Sequence, residues 1–194
     1  MIKLAQNKIF IFFSIFSVLV IAVVYQLSPQ KKLPVLGNVV DFSLLDSTQK
    51  QVSLSNFKNK VWVANFFFTT CGSICPMMTQ NMMKVYKRFL DDPDVHYVSI
   101  SVNPEFDSPE ILTRYAQKYG ADPLKWHFLT GPRESIQELA VKGFKVGTVD
   151  EPVFHSSYFI LIDKNANIRG YYDGITQKGV DQLTADIALL LKEK

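Results

Sequence analysis

Between Val61 and Pro76 the chain reads Val-Trp-Val-Ala-Asn-Phe-Phe-Phe-Thr-Thr-Cys-Gly-Ser-Ile-Cys-Pro. An apolar run this short, rich in aromatic and β-branched residues, has the pattern of a strand buried on both faces. Pro76, with Met77, Met78, Gln80, Met82, Met83, Lys84, Val85 and Tyr86 after it, carries the pattern of the first turns of a helix. The only two cysteines of the chain, Cys71 and Cys75, therefore fall at a strand-to-helix corner. In α/β folds such corners are where ligands and reactive groups gather.

The spacing sets the chemistry that is open. Helical residues four apart share a face, with Cβ atoms about 5–6 Å apart. Two sulfurs so placed can share one metal ion, or close into a disulfide after a modest shift. Unpaired N–H groups and partial positive charge at a helix N-terminus favour thiolate, the form that binds metal and attacks disulfides. The bland alternative is a pair of buried structural cysteines. The absence of any further cysteine and the corner position argue against it.

The length of 194 residues suffices for one well-cored domain and an appendage. With 47% apolar and 13% aromatic residues, the chain has the composition of a folding protein. Lys3 and Lys8 are the only charged side chains before residue 30, which leaves 19 basic against 18 acidic residues beyond it. That balance leaves no electrostatic footprint for nucleic acid. No internal repeat is present.

Taken in order, residues 1–8 are a short basic N-terminus. Residues 9–27 are apolar except for Ser14, Ser17 and Gln26. As a helix this stretch would rise about 28 Å, close to the roughly 30 Å of a bilayer's hydrocarbon. Val24-Tyr25-Gln26-Leu27-Ser28-Pro29 offers no small-x-small cleavage site, and no cysteine follows for lipoprotein processing. A retained transmembrane anchor is expected, with the C-terminal domain sent across. Residues 28–38, with two prolines, a glycine and two lysines, read as a linker.

The domain is expected over 39–194. Val39 to Leu45 and Gln51 to Leu54 form a hairpin about a polar turn. The strand from Val61 and the Cys helix follow, the helix ending near Asp91-Asp92-Pro93. Val95 to Val102 is a second buried strand. Ser108 is the N-cap and Pro109 the first residue of a helix that stops at Gly120. Trp126 to Leu129 is a short strand, and a helix runs from Gly131 to about Val141. Tyr158 to Asp163 and Ile168 to Tyr172 make a closing hairpin. An amphipathic helix then runs to Leu191. Strands separated by helices, then a hairpin, predict an α/β domain with a mixed central sheet flanked by helices. That is a thioredoxin-like layout with a helix inserted before the closing hairpin.

Of the three histidines, His96 and His127 sit at strand starts and read as satisfied core or surface imidazoles. His155 lies in the loop leading into Tyr158. In a thioredoxin-like fold that segment passes beside the Cys-bearing corner, so His155 could face both sulfurs. Met77, Met78, Met82 and Met83 read as core filler or an adaptable docking surface rather than thioether ligands.

These residues resemble the Sco (SenC) copper proteins, which help assemble the dinuclear copper site of cytochrome c oxidase. The resemblance covers roughly residues 35 to 193. It rests on Thr-x-Cys-x-x-x-Cys-Pro, present as Thr69-Thr70-Cys71-Gly72-Ser73-Ile74-Cys75-Pro76. It rests also on Ser101-Val102-Asn103-Pro104-Glu105-Phe106-Asp107-Ser108-Pro109-Glu110, and on His155 ahead of Tyr158 to Asp163. It implies a thioredoxin-like domain behind one membrane anchor, with copper bound by Cys71, Cys75 and His155. Gly72-Ser73 stands where many members have Pro-Asp, and Phe154 where many have Asp, so two acids beside the site are gone.

Two thiolates and an imidazole suit Cu(I) and can accept Cu(II). Structural zinc would want a fourth ligand. The leading expectation is a membrane-anchored, monomeric metallochaperone working with cytochrome c oxidase subunit II or other copper chaperones. Its soluble domain would lie in the bacterial periplasm, or in the mitochondrial intermembrane space. The rival is a thiol–disulfide oxidoreductase in which Cys71 and Cys75 are the catalytic redox pair. A peroxidase matches Thr69-Thr70-Cys71 poorly, and a redox or copper sensor leaves no trace in a sequence.

Overall fold

The structure, a computed structural model, describes residues 16, 17, 20, 32–147 and 156–193. The chain divides into two units, Met1–Lys32 and Leu33–Lys194. In the first, Phe16, Ser17 and Val20 are helical. The rest of the anchor expected over 9–27 lies outside the described residues, among which no helix is long and apolar enough to cross a membrane.

The second unit runs β1 (Gly37–Asn38), β2 (Ser43–Asp46), β3 (Gln51–Ser53), a 3-10 helix (Leu54–Phe57), β4 (Val61–Phe67) and α1 (Ile74–Arg88). It continues with β5 (Val95–Ser101), α2 (Pro109–Tyr119), β6 (Trp126–Thr130), α3 (Arg133–Glu138) and a π-helical turn (Leu139–Gly143). It closes with β7 (Tyr158–Ile162), β8 (Asn167–Asp173) and α4 (Gln177–Leu190). The strands make one eight-stranded sheet in the order β1-β8-β7-β4-β5-β6-β2-β3. β4, β5 and β6 are parallel, and the two hairpins add antiparallel strands on either side. This is the mixed sheet flanked by helices that the strand and helix order predicts.

All seven residues of β4 are buried, because both sheet faces are covered. Val61, Val63 and Phe67 pack in one core with Met78, Met82 and Val85 of α1 and Leu183 and Ile187 of α4. Trp62, Ala64 and Phe66 pack in the other with Phe57, Leu139 and Phe144. Phe144 meets Trp62 and Phe66 edge-on, with ring centroids 5.8 and 5.5 Å away. Each such side chain contributes roughly 1.5–3 kcal/mol on burial. The helix signals read correctly at α2: Ser108 caps the Ile111 N–H, and Gly120 ends the helix in the left-handed region at φ 69°.

Two stretches differ from expectation. The end of the predicted linker is built into the sheet: Leu33 is buried, and Gly37 and Asn38 pair with Ile168 and Asn167. The cause is Arg169, whose guanidinium donates to the carbonyls of Leu33 (2.7 Å) and Pro34 (3.1 Å), a partner far away in sequence. The helix expected to run to Val141 instead ends as α at Glu138 and widens into the π turn. The widening lets Phe144 bond back to Leu139 and reach the second core.

Candidate metal centre

β4 delivers the chain to Thr69 and Thr70, and α1 begins at Ile74 rather than at Pro76. Cys75 is thus in the first turn of α1, and Cys71 lies in the turn before it, tied by its N–H to the Phe68 carbonyl at 3.2 Å. The two cysteines do not share a helical face, as the four-residue spacing predicted. Instead the Cys71 sulfur accepts the backbone N–H of Cys75 at 3.4 Å. Ser73, at the N-cap position, makes no side-chain cap bond. The sulfur does the capping in its place. Both thiols are free.

This geometry separates their acidities. Partial burial raises Cys71, but the N–H groups of Cys75, Ser73 and Ile74 outweigh it and bring the thiol down to about 7. Burial pushes Cys75 the other way, to about 12, with the negative charges of Cys71 and Asp107 adding to the rise. The half-buried Cys71 is the ready nucleophile or ligand; the buried Cys75 ionises only with a compensating cation or a changed neighbour.

Asp107, fully buried, braces the corner. Its carboxylate accepts the Thr69 N–H (3.1 Å), the Thr69 hydroxyl and the Ser101 hydroxyl (2.5 Å). Thr79 of α1 donates to the Cys75 carbonyl at 2.8 Å and meets the Tyr115 hydroxyl at 2.8 Å. Asp107 was not singled out in the sequence, although it lies inside the Ser101–Glu110 motif; the buried role of that motif is what a local reading misses.

Beside the sulfurs lies a small cavity of about 20 Å³, lined by Phe66, Phe67, Phe68, Cys71, Ile74, Cys75, Met78 and Ser156. His155 and Phe154 lie outside the described residues. Among the described residues no group of three or more His, Cys, Asp or Glu could hold a metal ion. The two adjoining sulfurs fit a soft ion that a further donor would complete.

A sequence model of the SCO1/SenC family matches residues 35–192. The chain belongs to the SCO1/SenC family. It is similar to the SCO1 protein homolog of Bacillus subtilis, 36% identical over 165 residues that span 81% of this chain and 85% of that protein. Its fold is similar to that of BsSco, a member of the Sco family of cytochrome c oxidase assembly proteins in which a disulfide switch was identified. That pair is 33% identical with a TM-score of 0.73, over 84% of this chain and 100% of the other. It is also similar to Arabidopsis thaliana ScoI with copper bound, at 27% identity and a TM-score of 0.66, over 80% and 99% of the two chains.

For this SCO1/SenC chain the methionines of α1 follow the core reading: Met78 and Met82 are buried, while Met77 is half exposed. The other two histidines depart from theirs. The Nδ1 atoms of His96 and His127 are buried without a hydrogen-bond partner.

Proposed function

We propose that this chain is a membrane-anchored copper metallochaperone for cytochrome c oxidase, holding one copper ion through the Cys71 and Cys75 thiolates and the His155 imidazole. The observation that carries the reading is that Ser156, next to His155, lines the same small cavity as both cysteines. One residue spans about 3.8 Å of chain, so a side chain at 155 has the reach to complete the set. Copper bound to Arabidopsis ScoI and the oxidase-assembly role of BsSco support it. Two thiolates and an imidazole suit Cu(I) and accept Cu(II). Three donors leave a flank open, through which a partner thiolate enters before the first bonds are lost. The recipient is the dinuclear copper site of oxidase subunit II, with other copper chaperones as alternative partners. Residues 9–27 anchor the protein, and the domain faces the bacterial periplasm.

A second reading is favoured by the unequal acidities of Cys71 and Cys75. The Cys71 thiolate attacks a disulfide of the target, releasing one target thiolate and forming a mixed disulfide. Cys75 loses its proton to the released thiolate and attacks Cys71, expelling the second target sulfur. The target gains two electrons, this chain is left as the Cys71–Cys75 disulfide, and an external dithiol must reduce it again.

Copper titration of the reduced chain, read by absorption and paramagnetic resonance, tests the choice. One copper per chain, with thiolate-to-copper charge transfer lost in His155→Ala and in Cys71→Ala/Cys75→Ala, is expected. No stoichiometric copper, with a readily cycling disulfide, overturns the chaperone reading and leaves the reductase.

A further inference from the structure

At the other end of the sheet two imidazoles stand together that the reading above does not use. His96 lies opposite Trp62 at the start of β4, and His127 lies opposite Val98 of β5. From Trp62 to the end of β4 is already about 16 Å of strand, so the pair is remote from the cysteine corner. It projects on the face of the Trp62 core rather than that of Cys75. The two rings lie 6.3 Å apart between centroids and within 10° of parallel. Phe57 packs edge-on against both, at 6.3 and 5.5 Å, and fixes their planes.

Each ring buries its Nδ1 without a hydrogen bond. The Nδ1 of His127 faces Asp46 Oδ2 at 3.8 Å. Asp46 is itself fixed, since its Oδ1 accepts the Thr48 N–H (2.8 Å), the Thr48 hydroxyl (2.7 Å) and the Lys50 N–H (3.0 Å). An imidazole that turns Nδ1–H towards a carboxylate presents its Nε2 lone pair outward, the way proteins orient metal-binding histidines. Burial draws both imidazoles below their ordinary range, outweighing the Pro93 carbonyl beside His96 and the Asp46 carboxylate beside His127, so neutral rings are favoured near pH 7. The charges around the pair are mixed but tilt negative. Asp46 and Asp122 act on His127 and Asp94 on His96, against Lys60 and Lys125. Lys60 is occupied by Asp94 at 2.9 Å, and Lys125 by the Asp92 carbonyl at 2.6 Å.

We propose that His96 and His127 form a second metal site, taking a divalent transition cation such as Zn2+ or Cu2+ through their Nε2 atoms, with water completing the shell. A tetrahedral ion with metal–nitrogen bonds of about 2.0–2.1 Å holds two imidazole centroids about 5 Å apart. The rings stand 6.3 Å apart, so binding requires them to close by about 1 Å. Two imidazoles and water suit zinc and copper(II), whereas the cysteine corner suits the softer Cu(I). The two sites therefore differ in the ion they prefer, and this one stands or falls independently of the copper reading.

The test uses Zn2+ alone and the full chain carrying Cys71→Ala/Cys75→Ala, which silences the sulfur site. Calorimetric titration is expected to show one Zn2+ per chain, with affinity falling about tenfold or more in His96→Gln and in His127→Gln. Unchanged affinity in both variants, or no binding by the parent, overturns the site. A second measurement needs no histidine substitution, in case those variants fail to fold. Zn2+ should slow diethylpyrocarbonate modification of His96 and His127, read by peptide mass, while leaving His155 as reactive as before. Equal modification of His96 and His127 with and without Zn2+ likewise overturns it.

Discussion

The sulfur of Cys71 caps the helix that carries Cys75, accepting its N–H at 3.4 Å. One thiol therefore sits in the positive end of α1, and the other is buried behind it. The first negative charge is stabilised by amides, and that charge then opposes the second. A soft cation reverses this, because it favours ionising both together.

Alkylation should resolve the two thiols in the metal-free, reduced chain. With Cys71 brought down to about 7, its reaction with iodoacetamide should rise through a midpoint near that pH. Cys75, pushed up to about 12, should stay slow through pH 9. The signs carry over to stability. The lowered Cys71 contributes stability that appears as pH rises from 7 towards the unfolded value of 9.0, whereas the raised Cys75 loses stability above 9.0. Peptide mass spectrometry after timed alkylation checks the order; equal rates at Cys71 and Cys75 at pH 8 would refute it.

Replacing Asp107 should loosen the corner. Asp107→Ala strands the Thr69 N–H and the Thr69 and Ser101 hydroxyls, all of which donate to the carboxylate. Losing a charged acceptor from the buried Ser101 hydroxyl and the half-buried Thr69 donors costs about 2–4 kcal/mol. Urea unfolding at pH 7 should show an unfolding free energy lowered by that amount. Alkylation of Cys75 should also speed up, because one of the negative charges that raise it is gone.

How much of this was legible follows from where the information sits. The strand from Val61, the capped helix from Pro109 and the closing hairpin carry local signals of period and turn chemistry, and all three appear. The cysteines were legible as a pair. Their relative placement was not, since the four-residue spacing is compatible with a shared helical face or with a sulfur cap. Only the start of α1 at Ile74 decides it. β1 was missed because its strand character comes from Ile168 and Arg169, not from its own prolines and glycine. The burial of Asp107 and the stacking of His96 on His127 were invisible for a related reason. Burial on a sheet face depends on what packs over it, here Phe57 from a separate turn.

Arg169 should prove the tie between the two ends of the domain. It binds the Leu33 and Pro34 carbonyls, Asp163 at 2.9 Å and Glu193 at 2.9 Å. Arg169→Met leaves the Asp163 carboxylate buried beside an apolar chain, and breaking such a pair costs about 3–5 kcal/mol. Burial raises Asp163, but its bonds to Asn167, Asn165 and Arg169 outweigh this and hold it below its ordinary range. That contribution is present at neutral pH and disappears as pH falls through the lowered value. The variant should therefore lose stability at pH 7 and show a flatter decline towards acid. Limited proteolysis should also cut near residues 33–40 sooner than in the parent.

Two glycines allow a matched comparison of packing against motif. A Cβ at Gly179 would overlap the Asp173 carbonyl oxygen and lie 3.0 Å from the Asp173 backbone nitrogen. Those are main-chain atoms at the end of β8, where a side-chain rotation cannot relieve the contact. Gly179 also supplies the N–H that Thr176 accepts to cap α4, so displacing the backbone there weakens the cap as well. Alanine ordinarily gains about 1 kcal/mol over glycine inside a helix, and here the overlap should reverse that sign. Gly179→Ala should lower the unfolding free energy by about 1–3 kcal/mol, the scale of an overpacked core. Gly72, between the two cysteines, has nothing within 4 Å of the same position and no left-handed backbone. Gly72→Ala should leave thermal stability unchanged within error. A destabilised Gly72→Ala beside an unaffected Gly179→Ala would mean that the contact of α4 with the end of β8 is not as described.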